Sequence, residues 1–177
     1  SLKMKKIFFL LVLFFSISCT SVRVNYDYDR KTDFSSYTTY NYYPEMETGL
    51  SGLDTKRILV LVDSTMQIKG IKLSEEPDFY INIQSNSFRA TQNNNVGVGI
   101  GGGGGNVGGG ISIGLPLGQP NLEREIRFDF VDTQKDVLFW EASSSSGFKE
   151  NVSPEMREQK LRQIVNKVFE KYPPKIK

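Results

Sequence analysis

Hydrophobic and polar positions alternate in several stretches of this chain. Val22, Val24, Tyr26 and Tyr28 alternate with Arg23, Asn25 and Asp27, the period of a half-buried strand. Tyr37 to Tyr43 is rich in Thr and Tyr, which suit a pleated surface, and Pro44 ends it. Phe79, Ile81, Ile83 and Ser85 share one face of a further strand, with Tyr80, Asn82 and Gln84 on the other. Leu122, Ile126, Phe128 and Phe130 alternate with Glu123, Glu125, Arg127 and Asp129. Arg124 is the one charge on that apolar side, which places it near the strand end. The polar turn 132–136 leads into a hairpin partner from Val137 to Ser145, with Leu138 and Trp140 expected on one face and Val137 and Phe139 on the other.

Two segments repeat at helical spacing instead. Ile58, Leu61, Val62, Thr65 and Met66 form one stripe. Ser51 or Asp54 suits the N-cap, and Gly70 suits the position after the last turn near Lys69. The second stripe is Leu161, Ile164, Val165, Val168 and Tyr172, with Phe169 at its edge. Ser153-Pro154-Glu155 starts that helix with a cap, a proline at the first position and an acidic first turn, and Pro173-Pro174 stops it. Arg157, Glu158, Lys160, Arg162 and Lys167 are expected on its opposite side. The expectation is an α+β fold in the order β-β-α-β-(Gly-rich)-β-β-α: an antiparallel sheet of about five strands with both helices on one face.

The amino terminus reads as an address. Lys5-Lys6 precedes the unbroken apolar run Ile7 to Phe15, followed by Ser16-Ile17-Ser18-Cys19, and Met4 is the natural start. Nine apolar residues rise about 14 Å as a helix, half of a bilayer core. The run therefore predicts a secretory signal over 1–18 and a single mature domain over 19–177. Ser16-Ile17-Ser18-Cys19 resembles a bacterial lipobox, although Ser16 stands where Leu is usual. The resemblance implies diacylglycerol on the Cys19 sulfur, cleavage before Cys19 and acylation of the new amine. Two or three chains, at about 0.8 kcal/mol per buried CH₂, anchor durably. Thr20 stands where an inner-membrane retention signal has Asp in many lipoproteins, and no export tract follows. The expected location is the outer membrane, facing the periplasm.

Composition narrows the chemistry. The 177 residues contain no histidine and one cysteine. That removes Ser-His-Asp triads, His-ligated metals and intrachain disulfides. Residues 1–18 hold three lysines and no acid, so the remainder carries 19 basic against 20 acidic side chains. A near-neutral domain has no electrostatic footprint for nucleic acid.

The stretch 93–118 holds twelve of the sixteen glycines and no charge. Gly99, Gly101 and Gly104 match a dinucleotide-binding spacing by accident, because prolines rather than a helix follow. Val96, Val98 and Ile100, and later Ile111, Ile113 and Leu115, alternate in two arms around it. A solvated loop or an apolar flap touching a membrane or partner fits that pattern.

Asp27/Asp29 and Glu75/Glu76/Asp78 lack the spacing of a cation loop and read as turns. Glu123 and Glu125 share a strand face with Arg127 and Asp129 and read as an exposed charged sheet face. Ser143–Ser146 has no base beside it. Tyr26, Tyr28, Tyr37, Tyr40, Tyr42 and Tyr43 read as cross-strand packing. No catalytic, cofactor or metal residue is expected; Cys19 is the one site residue.

Asp33-Phe34-Ser35-Ser36-Tyr37-Thr38-Thr39-Tyr40 resembles the D-F-x-x-Y-x-T-Y signature of a bacterial lipoprotein family, the domain of unknown function 4136. Glu76-Pro77-Asp78-Phe79, Phe139-Trp140-Glu141-Ala142 and the closing Phe169-Glu170-Lys171-Tyr172-Pro173-Pro174 agree with it in order and spacing. The resemblance implies a lipid-anchored envelope domain and no activity. The expected role is a non-enzymatic binding or scaffolding module. Its partners would be the membrane, through Cys19, and an envelope protein. The alternative is a carrier or accessory module of an envelope transport system, holding an acyl chain or peptide between helices and sheet.

Overall fold

A computed structural model describes residues 21–89 and 122–175. Cys19, the apolar run before it and the Gly-rich stretch 93–118 lie outside the described residues. The elements are β1 (Arg23–Tyr28), β2 (Thr39–Tyr42), α1 (Gly52–Ile68), β3 (Lys72–Leu73), β4 (Phe79–Arg89), β5 (Leu122–Asp132), β6 (Val137–Phe148) and α2 (Pro154–Phe169). A single 3-10 turn, Phe34–Ser36, is capped by the Asp33 side chain.

The fold is α+β, but the sheet has six strands in the order β1-β6-β5-β4-β2-β3. It is mixed rather than antiparallel: β2 runs parallel to both β3 and β4. The physical reason is the connection. A 17-residue helix after β2 carries the chain back to the starting end, so the next strand enters in the same direction. The extra strand, β3, is two residues long and too short to show a period. Tyr37 lies before β2 rather than within it.

The central hairpin matches the alternation. Ile81, Phe130 and Trp140 stand in one cross-strand row, and Ile83, Phe128 and Ala142 in the next; all six are buried. Both helices pack on this face. Ile58, Leu61, Val62 and Met66 come from α1, and Leu161, Ile164, Val165, Val168 and Phe169 from α2. Each such side chain contributes about 1.5–3 kcal/mol by leaving water. Tyr80, Asn82, Gln84, Glu123, Glu125 and Arg127 point to the other face, which no element among the described residues covers.

One expectation about this hairpin is overturned. Leu138 and Val137 are both exposed, while Phe139 and Trp140 are both buried. The β5–β6 register shifts between Phe130 and Val131, so that Phe130 faces Trp140 while Val131 faces Leu138. The extra residue, Phe139, breaks the two-residue period and turns Leu138 away from the side of Trp140.

The helix ends follow their caps. Ser51 Oγ accepts from the Asp54 amide, and Ser153 Oγ accepts from the Met156 amide. Gly70 follows α1 with φ +78°, the left-handed position that favours glycine. Gly49 has φ +69°, and a Cβ there would stand 2.6 Å from the Ser85 carbonyl oxygen. That close approach lets the Ser85 amide donate to Thr48 O at 2.7 Å.

Candidate functional site

Cys19, the site residue expected from the sequence, lies outside the described residues. The nearby described chain is well anchored. Val22 is buried, and Lys167 Nζ donates to its carbonyl at 2.8 Å. Lys167, expected on the solvent side of α2, therefore reaches back to hold the entry to β1.

Asp54 forms a polar centre that periodicity does not disclose. It is 2% exposed. Arg57 donates to its Oδ1 at 2.7 Å, and Arg157 from α2 donates to its Oδ2 at 3.0 Å. Arg124 stands 4.0 Å from Oδ2, with its guanidinium 3.4 Å above the Phe148 ring. Burial lowers the Arg124 pKa, and the Asp54 charge acts against that shift. Arg157 is thus not on a solvent face: it ties the first turns of the two helices together and also donates to Glu150 O. Asp54 is the centre of this cluster, while Ser51 is the cap.

The tyrosines divide into two groups. Tyr40 and Tyr42 both donate to Asp63 Oδ1, at 2.6 and 2.7 Å. Tyr37 donates to Asp132 Oδ2 at 2.7 Å, and its ring stacks on Phe139. Burial, then the hydrogen bond to a carboxylate, pushes all three phenols well above their ordinary pKa. They stay protonated at neutral pH and act as hydrogen-bond donors. Tyr26 and Tyr28 stack in β1, and Tyr43 packs against Tyr80 across β2 and β4.

Of the carboxylates read as turns in the sequence, Asp29 accepts from the Lys31 amide two residues on. Asp78 instead ties the entry of β2 to that of β4, accepting from the Thr38 and Thr39 amides. Among the described residues, no three His, Cys, Asp or Glu side chains stand together as a metal site. Ser144, within the serine run, donates to Ile126 O at 3.2 Å. On the open face Arg127 bridges Asp129 at 2.7 Å and Glu141 at 2.5 Å. Among the described residues, two buried polar atoms, Trp140 Nε1 and Tyr172 Oη, have no hydrogen-bond partner. Their rings meet edge-on, with centroids 5.2 Å apart.

No helix among the described residues is long and apolar enough to cross a membrane. No curated protein matches the chain by sequence. Among solved structures, a PDZ domain protein from Parabacteroides distasonis superposes with a TM-score of 0.57 at 13% identity. That match covers 93% of this chain and 39% of the other, so this chain spans well under half of that protein. A PelC dodecamer from Paraburkholderia phytofirmans superposes with a TM-score of 0.48 at 8% identity, covering 84% of this chain and 95% of that one. The first of these likenesses concerns the fold alone. The family model described as domain of unknown function DUF4136 matches residues 24–174. That span takes in the whole sheet from Val24 and both helices, and the chain belongs to the DUF4136 family.

Proposed function

We propose that this chain is a lipid-anchored domain of the bacterial envelope. It would be held by acylated Cys19 on the periplasmic face of the outer membrane and act as a non-enzymatic binding or scaffolding module. The observation that carries the reading is the position of the single cysteine. Cys19 closes the short apolar run and stands three residues before Val22, the first buried one among the described residues. A lipid there tethers a complete fold through a short lead.

The polar interior supports a structural role. The Tyr37, Tyr40 and Tyr42 hydroxyls are committed to carboxylates, and Asp54 is neutralised by arginines. The space between helices and sheet supports scaffolding over an acyl-chain carrier, because Phe130, Trp140, Phe169 and Tyr172 fill it at 2% exposure or less.

Fractionation of cells expressing the chain tests this reading. The wild type should enter the detergent phase with the outer membrane. Cys19→Ser should yield soluble periplasmic protein or an uncleaved precursor. Wild-type protein found soluble and unacylated contradicts the proposal.

A further inference from the structure

We infer that the open edge of β1 pairs antiparallel with the same edge of a second copy of this chain, about a twofold axis at Asn25. Such pairing stands without the lipid anchor and extends the scaffolding reading to self-association. β1 closes one end of the sheet, and among the described residues no element pairs with its outer side. The Asp29 amide donates to Phe139 O of β6. By alternation, Arg23, Asn25 and Asp27 also turn their backbone groups toward β6, and Val24, Tyr26 and Tyr28 turn theirs outward. The ends of that outward row are engaged already. Lys167 Nζ donates to Val22 O, and the Tyr28 amide donates to Asp27 Oδ1 at 2.8 Å. Val24 and Tyr26 keep a complete pair of amide and carbonyl each, the template that an unpaired edge offers to another strand. A twofold axis at Asn25 sets Val24 of each copy opposite Tyr26 of the other and uses both pairs in full.

The side chains select the same register. Arg23, Asn25 and Asp27 lie on the open face of the sheet, in rows with Ser145, Ser143 and Glu141. About that axis, Arg23 of each copy stands directly opposite Asp27 of the other, so the strand is complementary in charge to itself. The Arg23 side chain is 68% exposed and holds Glu123 at 2.9 Å; its remaining guanidinium donors suit a second carboxylate. The two Asn25 amides meet on the axis, where each can donate and accept. On the helix side Tyr26, 46% exposed, gains Val24 of the other copy as a neighbour. Lys167 and Lys171 flank that side, and each is engaged by its own chain, through Val22 O and the Tyr26 ring. A shift of two residues would face Asn25 with Asp27 and would ask the Tyr28 amide for a bond it has already made. The other end of the sheet, β3, is two residues long and offers no comparable edge.

Disulfide trapping in the full chain tests the pairing. Opposed residues of a non-hydrogen-bonded pair stand about 4.5 Å apart at Cα, within reach of a disulfide. Asn25→Cys should therefore link two copies on oxidation with copper phenanthroline. Gln84→Cys, exposed on the same face but in β4, should not. The wild type, with Cys19 alone, sets the background, and digestion with mass spectrometry locates the bond. Within the Asn25→Cys chain, Arg23→Glu and Asp27→Lys should each lower the yield at least about fivefold, because each sets like charges opposite one another. A mixture of those two chains should recover the yield, and the bond should join unlike chains, since the altered positions then face each other with opposite charge. Circular dichroism of each variant should match the wild type; Arg23→Gln or Asp27→Asn, which remove the charge alone, replaces any variant that does not fold. No linkage at position 25, or as much at position 84, overturns the pairing. Linkage at 25 that neither charge change lowers, or that the mixture of folded variants fails to recover, overturns it as well.

Discussion

Tyr37 lies flat on Phe139, with ring centroids 4.0 Å apart and planes 2° from parallel, and its hydroxyl donates to Asp132 at 2.7 Å. One side chain thus fastens the segment before β2 to the β5–β6 turn and to the residue that bulges from β6. Tyr37→Phe keeps the stack and removes the donor to a carboxylate only 6% exposed. The expected loss is about 1–3 kcal/mol, read from urea unfolding at neutral pH.

The same pair sets an acid limit. Burial works to raise the Asp132 pKa. Hydrogen bonds from Tyr37 and from the Lys135 and Gln134 amides outweigh it and hold the carboxyl below its ordinary 3.8. Asp78 is held low in the same way, by Thr38 and Thr39 against burial. A folded pKa below the unfolded one contributes stability above pH 3.8, lost as pH falls through the folded value. The stability gap between wild type and Tyr37→Phe should therefore be constant from pH 7 to about 5. It should narrow below about pH 4. A gap that widens in acid would show that Asp132 is not held by this bond.

Asp54→Asn should cost about 3–5 kcal/mol, because it leaves Arg57, Arg124 and Arg157 crowded without their shared anion. Arg162→Gln, which breaks an exposed pair with Glu158, should change stability by less than about 1 kcal/mol. Equal urea midpoints for the two variants would contradict the central place given to Asp54.

Much of the hairpin and both helices was readable because their signals are local. Ser51, Ser153, Pro154 and Gly70 mark ends that depend only on neighbouring residues. What stayed hidden depends on the third dimension. The parallel entry of β2 follows from where α1 returns the chain, and a strand's period carries no direction. Strict alternation puts Leu138 on the side of Trp140, and the single bulged residue Phe139 undoes that placement. The Asp54 cluster joins residues 54, 57, 124 and 157, whose sequence separations give no hint of contact. Arg124 alone offered a clue, as a charge on an apolar strand face. For Cys19 the position was legible, and it lies outside the described residues.

Trp140 is fully buried among Phe130, Phe169 and Tyr172. Trp140→Ala should destabilise by about 3–5 kcal/mol. As the only tryptophan, it also reports on itself. Native fluorescence should be blue-shifted and resistant to iodide. Emission at the wavelength of the unfolded chain would contradict the observed core.

The Gly-rich stretch should be dispensable for folding. Pairing of β4 with β5 continues to Arg89 opposite Leu122, so a short connection can close the strands. Closure entropy changes only slowly with loop length. Replacing 94–118 by a short Gly-Ser linker should leave Tm within a few degrees, as followed by circular dichroism. A fall of tens of degrees would show that the replaced stretch contributes to the core.

The account as a whole turns on Cys19, and intact mass of the mature protein tests it most directly. Protein extracted from membranes in detergent should begin at Cys19 and carry the added mass of a diacylglycerol and an amide-linked acyl chain. Digestion should place all of that mass on the first residue. A mature chain that begins elsewhere, or that begins at Cys19 with a free thiol, would contradict the lipid anchor.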